Sequence, residues 1–116
     1  MTTKYKAVFS DIDGTLLNSK HQIPTATKNK IQQINKQGIP YVLVSARMPK
    51  GMTNIRAELG AKSPMICYSG ALVVNEEDKP IYSVTISKED AKNLCKKIQK
   101  INVNISISIY TKDEWL

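Results

Sequence analysis

At 116 residues, 41% hydrophobic and 23% charged, the chain is long enough to bury one core and too short for two. A net charge of +7, from 17 Lys+Arg against 10 Asp+Glu, favours an anionic partner, but the lysines are dispersed. Lys28, Lys30 and Lys36 fall on one helical segment and Lys96, Lys97 and Lys100 on another, without interleaved aromatics, which is the pattern of solvated faces and not of a nucleic-acid surface.

The N-terminal MTTKYKAVF has no leader pattern, and no apolar run approaches the roughly 18 residues of a membrane span. A cytoplasmic chain with neither membrane nor nucleic-acid partner is expected. Cys67 and Cys95 lack any C-x-x-C spacing and read as free thiols in an apolar strand and on a helix face.

In chain order, Lys4 to Ser10 predicts a strand whose Ala7-Val8-Phe9 run suits burial on both faces. Two carboxylates, Asp11 and Asp13, follow at once, then Gly14. Pro24 to Gln37 predicts a helix with Thr25 as its N-cap, Ile31 and Ile34 on one face and Gly38 at its stop. IPYVLVSA is a second buried strand. Pro49 opens a helix carrying Met52, Ile55 and Leu59, which Gly60 ends, and MICYSG is a third apolar strand. Strand, helix, strand, helix, strand at this spacing predicts a parallel sheet with right-handed crossovers, the first half of a doubly wound α/β fold.

In such folds ligands sit off the carboxyl ends of the strands. Asp11 and Asp13 lie at the first such end, Ser45 at the second and Ser69 at the third, so three strand ends converge on one polar spot. D-x-D-G alone is ordinary turn chemistry. After an apolar strand, two close carboxylates repel and raise one pKa, a cost usually retained for a metal or for acid-base work, and Mg²⁺ accepts such hard oxygen donors.

These residues resemble a known family. DIDGTL, Asp11 to Leu16, is similar to the first motif of the haloacid dehalogenase-like phosphohydrolases, and VLVSAR, Val42 to Arg47, to their second. The arginine two residues after Ser45, then YSGA (Tyr68 to Ala71) and the hairpin-like ALVVNEEDKPIYSV, resemble the Cof-type members, which carry a large α/β cap after the third core strand.

The resemblance implies that Asp11 attacks phosphorus to give an aspartyl-phosphate and that Asp13 protonates the leaving oxygen and then activates water. It implies Mg²⁺ held by the Asp11 carboxylate and the Asp13 carbonyl, a phosphate pocket to which Ile12 and Gly14 lend backbone, and a phosphoryl hydrogen bond from Ser45. Arg47, Ser69 and Gly70 are implied to contact the substrate, a small phosphorylated metabolite. Ser69 stands where the Cof-type pattern usually has Asn. Thr15 reads as a cap of the turn, and His21, in the following loop, as a solvated side chain.

Residues 1–85 are expected to form the first half of the family's core, with a Rossmann-like sheet, and residues 86–116 the beginning of a cap. The family's third motif, which supplies a lysine, and its fourth, an acidic pair, lie beyond a cap, so this stretch reads as an N-terminal fragment with little turnover alone. Ser87 predicts an N-cap, with Asp90 three residues on, for a helix bearing Ala91, Leu94, Cys95, Ile98 and Ile101. NVNISISIY alternates strictly, which predicts a strand at 103–110 whose exposed edge favours self-association.

Two further classes remain as alternatives: a non-catalytic phosphate- or cation-binding assembly module, and, ranked last, charge-driven nucleic-acid binding. A phosphorelay receiver is set aside because Tyr68 and Ser69 stand where it needs an acceptor aspartate after the third strand.

Overall fold

The computed structural model describes residues 4–111 and 114–115. They divide into two compact units, residues 1–83 and 84–116.

The first unit is built on a five-stranded mixed sheet in the order β1-β2-β3-β4-β5, with β1 Val8–Asp11, β2 Tyr41–Val44, β3 Met65–Cys67, β4 Leu72–Val74 and β5 Pro80–Ser83. The first two pairings are parallel, as the helix-containing crossovers require, and place Asp11 beside Val44 and Val44 beside Ile66. β3, β4 and β5 then run as an antiparallel meander, with Cys67 opposite Leu72. Its second hairpin turn is closed by Asn75, whose Oδ1 accepts the backbone N–H groups of Glu77 and Lys79 at 2.9 Å each.

The apolar alternation explains the core. Ile12, Leu43, Met52, Leu59, Met65 and Cys67 are wholly buried, and Leu16, Ile31 and Val74 nearly so. Each fully buried aliphatic of this size stabilises by about 1.5–3 kcal/mol relative to exposure. Met52 and Leu59 meet the core as the helical spacing requires, with Ile55 packed at its margin.

Four details differ from the sequence reading. β1 starts at Val8, where its pairing with Tyr41 begins, and Phe9 is 63% exposed on the sheet's edge strand, so the apolar run is covered on one face only. Helix α1 is Thr25–Lys36; Pro24 occupies the N-cap position, so Thr25 is already helical and makes no side-chain cap. Gly38 does end it, at φ +77°, a conformation that glycine adopts without the strain a Cβ brings.

The segment after Pro49 is two pieces, a tight 3₁₀ turn Pro49–Gly51 and helix α2 Thr53–Glu58, because Met52 at φ −121° breaks the helical path between them. In the second unit, helix α3 Lys88–Ile101 is capped by Ser87, whose Oγ accepts the Asp90 N–H at 3.0 Å. Downstream, residues 103–109 form no strand: only β6 Tyr110–Thr111 pairs, with β7 Glu114–Trp115. Alternation makes a strand only where another strand takes up its ladder, and among the described residues 103–109 has none. Cys67 is buried and Cys95 half-buried, and neither is in a disulfide. Among the described residues, no helix is long and apolar enough to cross a membrane.

Candidate active site

At the carboxyl end of β1 the chain leaves the sheet through a turn, Ile12–Leu16, closed by the Leu17 N–H on the Ile12 carbonyl at 3.0 Å. Ile12 is anchored in the core while Asp11 and Asp13, on either side of it, are exposed. That is how an i, i+2 pair with an apolar residue between is held toward solvent. Gly14 sits at φ +75°, with open space where a Cβ would stand, so the backbone there is accessible to a ligand. The Asp11 carboxylate accepts the Thr15 hydroxyl at 3.3 Å. Thr15 therefore steadies Asp11 as well as the turn.

One strand over, Ser45 follows β2. It is 6% exposed; its N–H donates to the Ile66 carbonyl at 3.0 Å, and its Oγ accepts the Arg47 N–H at 3.1 Å. A hydroxyl that accepts still has one proton to give. Ser69 follows β3, and its N–H donates to the Ser45 carbonyl at 3.0 Å, which fastens the second and third strand ends together. Tyr68, Ser69 and Gly70 all adopt positive φ, +49°, +55° and +101°. Left-handed geometry at two successive non-glycine residues is rare backbone of the kind that collects at functional sites. Ser69 is exposed, and at Gly70, as at Gly14, a Cβ would meet open space.

Arg47 ties this cluster to the acidic turn. Its Nε and Nη2 donate to the two carboxylate oxygens of Asp13 at 2.8 and 2.6 Å, and its Nη1 to the Gly51 carbonyl at 3.0 Å. The expectation that two nearby acids raise one another's pKa fails at Asp13. The hydrogen bonds from Arg47 hold its carboxyl below the usual range, against a small opposing effect of burial, with the charges of Arg47 and His21 assisting. The same pairing pushes the Arg47 guanidinium up. His21 is exposed, as expected, yet lies near enough to act on Asp13.

The structure thus gathers Asp11, Asp13, Ser45, Arg47, Ser69 and the open backbone at Gly14 and Gly70 around adjoining strand ends, with Ile12 beneath as an anchor whose carbonyl is committed to the turn. Sequence reasoning missed Gly51, which stands against the Arg47 stem: a Cβ there would lie 3.5 Å from the arginine's Cβ and Cδ. Its signal was a glycine four residues after the motif arginine. Among the described residues no three His, Cys, Asp or Glu side chains form a metal cluster. The oxygen donors at hand are the Asp11 carboxylate and backbone carbonyls, a hard set that suits a Mg²⁺ retaining most of its waters.

A Rossmann-like α/β sheet with an acid pair at the end of its first parallel strand, flanked by serines from the next two, defines a class of phosphate-handling fold. The chain belongs to the haloacid dehalogenase-like hydrolase family, whose sequence profile matches residues 8–116. It is 44% identical to a Haemophilus influenzae protein over 86 residues, covering 74% of this chain and 33% of that protein. It is 31% identical to Phosphatase YwpJ of Bacillus subtilis over 110 residues, covering 91% and 39%. Among solved structures, a haloacid dehalogenase-like hydrolase from Bacteroides thetaiotaomicron superposes with a TM-score of 0.82 at 30% identity, covering 97% of this chain and 43% of that one. The chain spans between 33% and 43% of the length of these relatives.

Proposed function

We propose that the chain carries the nucleophile and the proton-transfer group of a Mg²⁺-dependent phosphomonoester hydrolase acting on a small phosphorylated metabolite. The observation that carries this reading is the placement of Asp11 and Asp13 on either side of buried Ile12, at the carboxyl end of β1, beside the Ser45 turn.

In the first half-reaction an Asp11 carboxylate oxygen bonds to phosphorus and the bond from phosphorus to the leaving oxygen breaks. The leaving oxygen keeps the electron pair and takes a proton from Asp13, which must first be protonated although Arg47 favours its ionised form. In the second, Asp13 removes a proton from water, whose oxygen attacks the same phosphorus and returns the Asp11 carboxylate and inorganic phosphate. The Ser45 hydroxyl and the backbone around Gly14 and Gly70 orient the phosphoryl oxygens. The Asp11 carboxylate and the Asp13 carbonyl would hold Mg²⁺, whose charge offsets the approach of one anion to another.

Relatives named as phosphatases, among them a glucosyl-3-phosphoglycerate/mannosyl-3-phosphoglycerate phosphatase of Persephonella marina at 38% identity over 66 residues, support a phosphorylated small molecule as substrate. Free thiols suit a cytoplasmic setting.

The test is calorimetric titration of the purified chain with Mg²⁺ and inorganic phosphate, alongside phosphate release from an aryl phosphate. Binding together with release that Asp11→Asn abolishes supports the hydrolase. Binding without release, unchanged in Asp11→Asn, supports a non-catalytic phosphate-binding module instead.

A further inference from the structure

We propose that Arg47 is the positioning residue of the Asp13 carboxylate and not a ligand of the substrate's phosphoryl group. The inference rests on the reading of Asp13 as the proton-transfer group and adds the means by which that group is held.

A proton-transfer group on an exposed turn is worth little unless its carboxylate plane is fixed against the oxygen it serves, since misplacement by about 1 Å can cost a hundredfold in rate. Asp13 is exposed within the Ile12–Leu16 turn, whose Leu17 N–H bonds the Ile12 carbonyl, and that bond holds the backbone and not the carboxylate plane. Arg47 does. Its fork meets both carboxylate oxygens, the two-point geometry that sets the orientation of a carboxylate as well as its distance.

The guanidinium is itself held from the far side. Nη1 is committed to the Gly51 carbonyl, and Gly51 faces the aliphatic stem, where a Cβ would stand in ordinary van der Waals contact, 3.5 Å from the arginine's Cβ and Cδ. The backbone is pinned too, by its N–H on Ser45 Oγ and by its carbonyl, which accepts the Tyr68 N–H at 3.1 Å. Arg47 therefore transmits the position of the second and third strand ends to a carboxylate on the first. To reach a phosphoryl group with the same fork it would have to release Asp13.

The chain's two acids accordingly have separate supports, Thr15 for Asp11 and Arg47 for Asp13. Lysine at position 47 would keep the charge and lose the fork.

Two measurements on the 116-residue chain test this. In ¹⁵N-resolved NMR with Mg²⁺ present, the Arg47 Nε–H signal should be protected from solvent exchange, lose that protection in Asp13→Asn, and stay in place as inorganic phosphate is added. An Nε–H signal that moves with phosphate, or that is indifferent to Asp13→Asn, overturns the proposal. In single-turnover hydrolysis of the phosphoryl group on Asp11, where the ionised Asp13 takes the proton of water, Arg47→Lys and Arg47→Ala should slow release by about a hundredfold. Transfer to Asp11 from p-nitrophenyl phosphate, whose leaving group needs no proton, should fall no more than about threefold. Equal losses in both steps, or rescue by lysine, mark Arg47 as a phosphate ligand or a plain structural contact. If the wild-type chain accepts no phosphoryl group from p-nitrophenyl phosphate, the NMR signal alone decides whether Arg47 holds Asp13.

Discussion

Replacing Arg56 with alanine should destabilise the first unit by about 3 kcal/mol, although Arg56 touches none of the catalytic groups. It is 8% exposed on α2, and its Nη1 donates to the carbonyls of Ser63 at 3.1 Å and Asn75 at 3.3 Å, while Nη2 meets the Asp78 carboxylate. The side chain thus bolts α2 to the segment leading into β3 and to the β4–β5 turn. Truncation strands two carbonyls that lose a charged donor, at about 1–2 kcal/mol each. The ion pair adds well under about 1 kcal/mol, because Asp78 remains roughly half exposed. For a unit of this size the sum lowers the melting temperature by about 12–24 °C. Thermal and urea unfolding followed by circular dichroism measure it. Asp78→Asn, which keeps an acceptor oxygen, should cost under about 1 kcal/mol, and Arg56→Met, which refills volume without donors, should resemble Arg56→Ala. A mild Arg56→Ala, or an Asp78→Asn as costly as it, would refute the reasoning.

Gly14→Ala should cost about 1 kcal/mol in urea unfolding, wholly from backbone strain at φ +75°, since a Cβ there meets nothing; a loss of several kcal/mol would mean the space is filled. The Asp13 carboxyl, lowered by Arg47 in the folded chain, contributes stability that is present above the unfolded carboxylate pKa and is lost as pH falls through the folded one. Asp13→Asn should therefore be less stable than wild type by up to about 1 kcal/mol at neutral pH, with the gap closing as pH falls below the ordinary carboxylate range; a gap that widens in acid contradicts the pairing.

The legible parts of this molecule are those set by neighbours in sequence. The acid pair after an apolar strand, the glycine stops at Gly38 and Gly60, and the core-facing spacing of Ile55 and Leu59 follow from local periodicity and left-handed turn geometry, and each stands where that physics puts it. What escaped depends on partners far along the chain. The pairing of Arg47 with Asp13 spans 34 residues and reverses the expected direction of a pKa shift. Arg56, an ordinary polar helix residue by pattern, becomes buried only because Ser63, Asn75 and Asp78 converge on it. Residues 103–109 show the same dependence from the other side: strict alternation there forms no strand, because strand formation is a property of pairs and not of segments.

That Asp11 accepts a phosphoryl group is tested most directly by locating it. The chain, incubated with Mg²⁺ and an aryl phosphate, quenched in acid and digested, should yield a phosphorylated peptide whose fragment ions place the group on Asp11, and Asp11→Asn should yield none. A phosphoryl group found on Ser45 or on any residue other than Asp11, or the same labelled peptide recovered from Asp11→Asn, would contradict the account.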